Sequence, residues 1–200
     1  MGACQSALLH FRILGYTPEN ASVLKREAEV SPEFERIRER ADQLAEHLSD
    51  EDWWRAPEGE WNAAQIFEHL LLTYTNTTKA LLRAFDRGTP SGSRSTLRQR
   101  LRTKYVLGFH RLPAMQAPER AIPPEKGSVE KGSDEVLYRF KNGLVALDAT
   151  LTDAERRFGS TVRMLNHPLL GPLNAHEWRR FHLIHALHHF KQAAERSQRA

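Results

Sequence analysis

The chain has 200 residues, 40% of them hydrophobic and 27% charged, with a formal net charge of +4. A chain of this length buries roughly 70% of the surface its unfolded form exposes, enough for one domain without covalent staples, and the single cysteine, Cys4, excludes an intramolecular disulfide. No run approaches the roughly 18 apolar residues of a membrane span, so the expectation is a soluble, cytoplasmic protein with no membrane partner; the positive excess is too mild to argue for nucleic acid by itself.

Met1, Gly2 and Ser6 match the short M-G-x-x-x-S pattern of N-myristoylation, but that pattern demands little. The same stretch lacks the basic start of a secretory signal. Residues 1–30 are therefore read as an extension and residues 31–198 as the folded domain.

From Ser31 the pattern turns helical. Ser31 is the expected N-cap and Pro32 the first helical residue, with Phe34, Ile37, Ala41, Leu44, Ala45 and Leu48 recurring every three or four positions. Glu35, Arg36, Arg38, Glu39, Arg40 and Glu46 make the solvated face, and the helix should end near Ser49 and Asp50. A compact connection through Trp53, Trp54 and Pro57 leads to a second helix, opened by Asn62 and Gln65 at capping-box spacing and stopped after Phe85 by Gly88 and Pro90. Its expected buried stripe is Ile66, Leu70, Thr73, Thr77, Leu81 and Ala84, with His69 on or beside it.

Residues 86–132 lose this periodicity and hold five of the ten prolines, which marks a long crossover carrying a short helix from about Thr96 to Val106. Between positions 83 and 104, seven bases (Arg83, Arg87, Arg94, Arg98, Arg100, Arg102 and Lys104) face Asp86 alone. The plainest reading is a solvated basic face, because no aromatic platform is interleaved with the charges before Tyr105 and Phe109. The functional reading is a site for an anionic small molecule, with Arg98 and Arg100 as the substrate-binding candidates; nucleic acid is the weaker alternative.

The third helix has the cleanest spacing: Leu137, Phe140, Leu144, Leu147, Leu151, Ala154 and Phe158 form a bundle seam that Gly159 ends. Thr161 to Pro172 reads as a loop. The fourth helix opens at Asn174, with Glu177 completing a second capping box, and runs through Trp178, Phe181, Ala186 and Phe190 to about Ser197. Four helices, two short connections and one long crossover between the second and third describe an all-α four-helix bundle.

Six of the ten histidines fall between His167 and His189, and His182, His185, His188 and His189 crowd onto the fourth helix. At about 100° per residue, His185 and His189 lie about 40° apart around the axis and one turn apart along it, so both imidazoles can reach one cation. His182 shares their face and is the substitute ligand, while His188 projects elsewhere. His69 is the natural third ligand, since a bundle can bring facing helices together around an interior ion. A single buried histidine is more often a packed one, but so many neutral imidazoles on one face are costly to protonate, and this favours ligation. No Glu follows the first histidine as in H-E-x-x-H, and the paired carboxylates of a di-iron bundle are missing. His10, His47 and His110 are read as surface or packing residues, and His167 and His176 as cap and loop residues near the entrance.

Two segments resemble the DinB-like superfamily. Trp61, Asn62, His69 and Leu70 are similar to the family's Trp, small polar cap and His-Leu at the start of its second helix; His167-Pro168, Gly171, Glu177-Trp178 and the H-x-x-H-H-x-x-Q run from His185 to Gln192 follow its final-helix pattern. The likeness spans residues 31–198. It implies an up-down-down-up bundle holding a divalent metal on His69, His185 and His189, with Gln192 in support, often as a homodimer, and relatives that include thiol-dependent S-transferases. The extension and the crossover vary within or fall outside the shared pattern.

The resulting expectation is a metal-dependent enzyme, a hydrolase or thiol S-transferase, whose Zn, Ni, Fe or Mn ion activates water or a low-molecular-weight thiol. His182 and His188 are the candidates for proton transfer. The alternative is a non-catalytic bundle, with a structural metal or none, that binds a partner.

Overall fold

The computed structural model describes residues 30–110, 112, 118–124 and 132–199. The readings placed on Cys4, His10 and the myristoylation pattern lie outside these residues. The elements are α1 (Pro32–His47), α2 (Ala63–Arg87), α3 (Leu97–Phe109), a 3-10 turn (Glu119–Ala121), α4 (Gly132–Phe158), strands β1 (Leu165–His167) and β2 (Gly171–Leu173), and α5 (Ala175–Ser197).

Three helices begin with a reciprocal capping box. Asn62 with Gln65, Thr96 with Gln99 and Asn174 with Glu177 each satisfy two backbone N–H groups that the first turn leaves without partners. Gly88 closes α2 in the left-handed region at φ 68°. α1 departs from expectation: Ser31 precedes Pro32 as expected, but its side chain does not cap the helix. Its backbone N–H and its hydroxyl both donate to the Asp148 carboxylate, at 2.6 and 2.9 Å.

Side-chain contacts fix the helix directions. Phe67 meets Phe140 near the starts of α2 and α4, and Phe85 meets Phe158 near their ends, so these two helices run parallel. Phe34 at the start of α1 meets Tyr74 midway along α2, and Trp53, past the end of α1, meets Phe67 near the start of α2, so α1 opposes α2. Arg196, late in α5, donates to the Trp61 carbonyl just before α2, so α5 opposes α2. The order is up-down-down-up. A parallel α2–α4 pair cannot be joined by a tight turn, which is the physical reason for the long crossover.

The core is built around Phe67, whose ring lies 5.0 Å from those of Trp53 and Phe140 and 5.3 Å from that of Phe190. Phe34, Ile37, Tyr74, Leu144, Leu147 and Leu151 are fully buried around it. On α2 the expected stripe is present, except that Thr73 is half-buried, and residues 63–70 are buried on every side. They are enclosed because the crossover packs there too: Gln65 donates to the Pro124 carbonyl and His69 meets Ala121.

The expected loop from Thr161 to Pro172 instead contains an antiparallel ribbon, Leu165 opposite Leu173 and His167 opposite Gly171. Two three-residue strands carry too little alternation to register in a sequence pattern. The start of the crossover lies along this ribbon, with Ser91 N–H donating to the Met164 carbonyl at 2.7 Å. Gly92 is required there, because a Cβ would collide with the Arg163 carbonyl.

One buried ion cluster ties three helices together. Arg179 on α5 donates to Asp148 at 2.9 Å and to Glu155 at 2.7 Å on α4, and Asp148 also holds Ser31 at the head of α1. Arg179 and Asp148 are 8% and 5% exposed. Removing one member of such a pair strands a buried charge, at a cost of about 3–5 kcal/mol. Asp148→Ala is therefore expected to lower the unfolding free energy by about 3 kcal/mol or more, read as a fall in the denaturant midpoint at constant m-value.

Candidate metal centre

His69 lies two turns into α2; His185 and His189 lie one turn apart on α5. The antiparallel packing of these helices brings the three rings to one point, with centroids 5.2, 4.7 and 4.6 Å apart. The Nε2 atoms of His69 and His189 approach the Nε2 of His185 at 3.3 and 3.0 Å, and among the described residues these three form the group able to hold an ion. These are the three residues expected to converge, His185 and His189 from their one-turn spacing and His69 from its place on or beside the buried stripe of α2.

Neighbours fix the orientation of each ring. The Nδ1–H of His69 donates to the Ala121 carbonyl at 2.6 Å. A carbonyl only accepts, so the proton sits on Nδ1 and the Nε2 lone pair points at the other two rings. Trp61 packs on His69 with centroids 5.0 Å apart, and Phe181 stacks on His185 at 5.4 Å and 17°. Gln192 lies beside His189 and favours its charged form, but its geometry falls short of a hydrogen bond to Nδ1.

The donor set fits a divalent metal. With the His69 tautomer fixed, no placement of protons makes both Nε2–Nε2 contacts two-centre hydrogen bonds; either one proton is shared or two lone pairs face each other. A cation accepts all three lone pairs at once. With metal–nitrogen bonds of about 2.1 Å, ligands at right angles sit about 3.0 Å apart and tetrahedral ones about 3.4 Å apart, the range that the two contacts span. Burial pulls all three histidines below the ordinary imidazole range, His189 to about 3, with the neighbouring imidazoles of the cluster adding to the effect at His185 and His189. They are therefore neutral, as ligands must be.

The centre opens into a cavity of about 1120 Å³. Its apolar wall includes Trp61, Leu112, Leu169 and Phe181, while Lys79, Arg83, Arg120 and Arg196 bring positive charge against Glu60 alone among the described residues. Arg196 is occupied by Glu60 at 2.5 Å. Lys79, Arg83 and Arg120 are exposed at the cavity and have no ion-pair partner among the described residues.

The other expected residues are placed as follows. His182 is fully buried, with rings of Phe34, Tyr74, Trp178 and Phe181 around it and neither nitrogen hydrogen-bonded; burial takes it to about 3. It stands on the cavity wall but outside the three-nitrogen cluster. His188 is exposed at the cavity, its ring 5.3 Å from that of His189. Arg98 and Arg100 are exposed on α3 and are not part of the cavity wall, so the structure does not bring them to the metal centre. His47 and His110 are exposed, and His176 pairs with Glu33, in keeping with packing roles. His167 does more than fill a loop: its Nδ1 accepts the N–H groups of Leu169 and Leu170, each at 3.2 Å, and its ring packs on Phe181, which in turn stacks on His185.

The Ala121 carbonyl and the cavity cations Lys79, Arg120 and Arg196 play no part in the expected site, and Arg83 enters it only as the first base of the stretch from 83 to 104. A backbone carbonyl 52 residues from His69 leaves no sequence signal. The cations leave a partial one, since Thr73, Asn76, Thr77, Ala80 and Arg83 continue the face of His69 along α2 at three- and four-residue steps.

A family model described as the DinB superfamily matches residues 33–193, and the chain belongs to that superfamily. No curated protein and no solved structure matches it.

Neutral burial of these rings sets a pH dependence. A histidine with a depressed folded pKa stays neutral in the native state while the unfolded chain takes up its proton. The contribution is complete above the ordinary value of about 6.5 and is lost as pH falls toward about 4 for His167 and about 3 for His182 and His189. The metal-free protein is expected to lose melting temperature steadily across that window, and a pH series of thermal melts checks this.

Proposed function

We propose that this member of the DinB superfamily is a metal-dependent enzyme acting on an anionic small molecule, of the hydrolase or thiol S-transferase class. The observation that carries the reading is the convergence of three imidazole Nε2 atoms at the wall of a large cavity, with no fourth protein ligand from a described His, Cys, Asp or Glu. Three protein ligands and an open position belong to catalytic sites, whereas structural sites close with four. A bound divalent cation would lower the pKa of water or of a thiol and polarise an adjacent carbonyl.

The chain's own residues supply the rest. Ala121 holds His69 in one tautomer, and Trp61 and Phe181 fix ring planes and keep the site partly dry, which strengthens electrostatic interactions there. Lys79, Arg83 and Arg120 attract and orient the anionic part of the substrate. Of the two histidines considered for proton transfer, the exposed His188 is the better placed to exchange a proton with solvent, because His182 is sealed among aromatic rings.

Elemental analysis of untagged protein is expected to find about one divalent ion per chain, and both His69→Ala and the His185→Ala, His189→Ala double variant to lose it. Affinity should fall by more than the roughly 10–100-fold that loss of an outer partner costs. A wild-type protein that stays metal-free after reconstitution with Zn, Ni, Mn and Fe(II) overturns the reading in favour of a non-catalytic bundle. With a substrate in hand, the Arg83→Ala, Arg120→Ala double variant should raise KM with little change in kcat, the signature of binding lost equally in ground and transition states.

A further inference from the structure

α3 is apolar on both sides. Its inner side is buried at Thr103, Val106 and Leu107, where the Thr103 hydroxyl donates to the Leu170 carbonyl and Arg180 donates to the Leu107 carbonyl. Its outer side carries Leu97, Leu101, Tyr105 and Phe109, exposed by 73%, 60%, 50% and 71%. These recur every four residues, so on a helix of about 100° per residue they form a continuous row about 120° wide. Four large apolar side chains in one row are unlike the scattered single hydrophobics of an ordinary surface.

Cations border the row. At the same angular step, Arg100 and Lys104 fall along one edge and Arg98 and Arg102 along the other. The helix contains no acidic residue, and none of the four cations is ion-paired among the described residues. A second copy of the chain does not suit this face: pairing α3 with itself would place two sets of four cations together with no helix carboxylate between them. Nucleic acid does not suit it either, because aliphatic and aromatic side chains project furthest and the charges flank them. An apolar strip that enters the acyl boundary, with Arg and Lys reaching sideways to phosphate groups, matches an anionic lipid surface.

We propose that the outer face of α3 docks the protein on anionic membranes. The described residues contain no helix long and apolar enough to cross a bilayer. A helix lying in the interface plane needs no such span, so the expectation of no membrane partner, which rested on spans, does not bear on this surface. The metal centre is not involved, and the two proposals stand or fall separately.

The test is co-sedimentation of the full-length protein with vesicles of phosphatidylcholine alone or mixed with phosphatidylglycerol, at about 0.15 M ionic strength. Partitioning onto the mixed vesicles is expected, with at least about tenfold less onto phosphatidylcholine. The Leu101→Ser, Phe109→Ser variant should lose at least about tenfold in partitioning, and Arg98→Gln, Arg100→Gln should also weaken it, both at unchanged melting temperature because these side chains are exposed. Protein that remains in the supernatant with both vesicle types overturns the proposal. Binding that survives Leu101→Ser, Phe109→Ser also overturns it, since adsorption would then be charge alone. A dimer-to-monomer shift of that variant in sedimentation velocity without vesicle binding assigns the row to a second copy, and retention on single-stranded RNA without vesicle binding assigns the cations to nucleic acid.

Discussion

The carboxylate of Asp148 is the constraint on which the bundle's register depends. It sits midway along α4, accepts from both the backbone and the hydroxyl of Ser31 at the head of α1, and pairs with Arg179 in the second turn of α5. An apolar core alone tolerates small slides of one helix past another, because hydrophobic contact is non-directional. Directional bonds to a buried charge do not. With α1 and α5 fixed against α4, His185 and His189 have one height on the bundle axis, and α2, packed parallel to α4, brings His69 to that height.

The centre itself works against stability. Its rings are desolvated, and without a cation they have no complete set of hydrogen bonds among themselves. His182 adds two further buried nitrogens with no partner. The molecule therefore keeps its satisfied and its unsatisfied buried polar groups apart. The Asp148 cluster is satisfied and structural, while the histidine cluster is unsatisfied and faces a cavity, as local conflict at a functional site leads one to expect.

What was legible in the chain was local. The capping boxes at Asn62 and Asn174 are written within four residues, so both helix starts emerge at their observed positions. The seam from Phe140 to Ala154 and the one-turn spacing of His185 and His189 follow from helical period alone. The parts that were not legible are made between distant segments. Ser31 has the composition of a cap but gives its bonds to Asp148, 117 residues away. The ribbon is too short to show a period, and of the arginine-rich stretch that composition singled out only Arg83 reaches the cavity, where Lys79 and Arg120 join it. That stretch has its own geometry: only with the helix register of α3 known do its arginines separate into two borders around an apolar row.

The parallel run of α2 and α4 has a further consequence, in the entropy of the chain that joins them. A connection that must return along the length of the bundle is long already, and for such a loop a doubling of length adds only about 0.6 kcal/mol of closure cost. The crossover can therefore change in length and composition at little cost to the fold outside its own contacts, provided Gly92 still passes the Arg163 carbonyl, Val106 and Leu107 stay packed, Ala121 still meets His69 and Pro124 still accepts from Gln65. Between those fixed points the wall of the cavity is free to be rebuilt while the helices keep the three imidazoles where they are. Change in the shape of the cavity and retention of the three-imidazole cluster are thus assigned to different parts of one small domain.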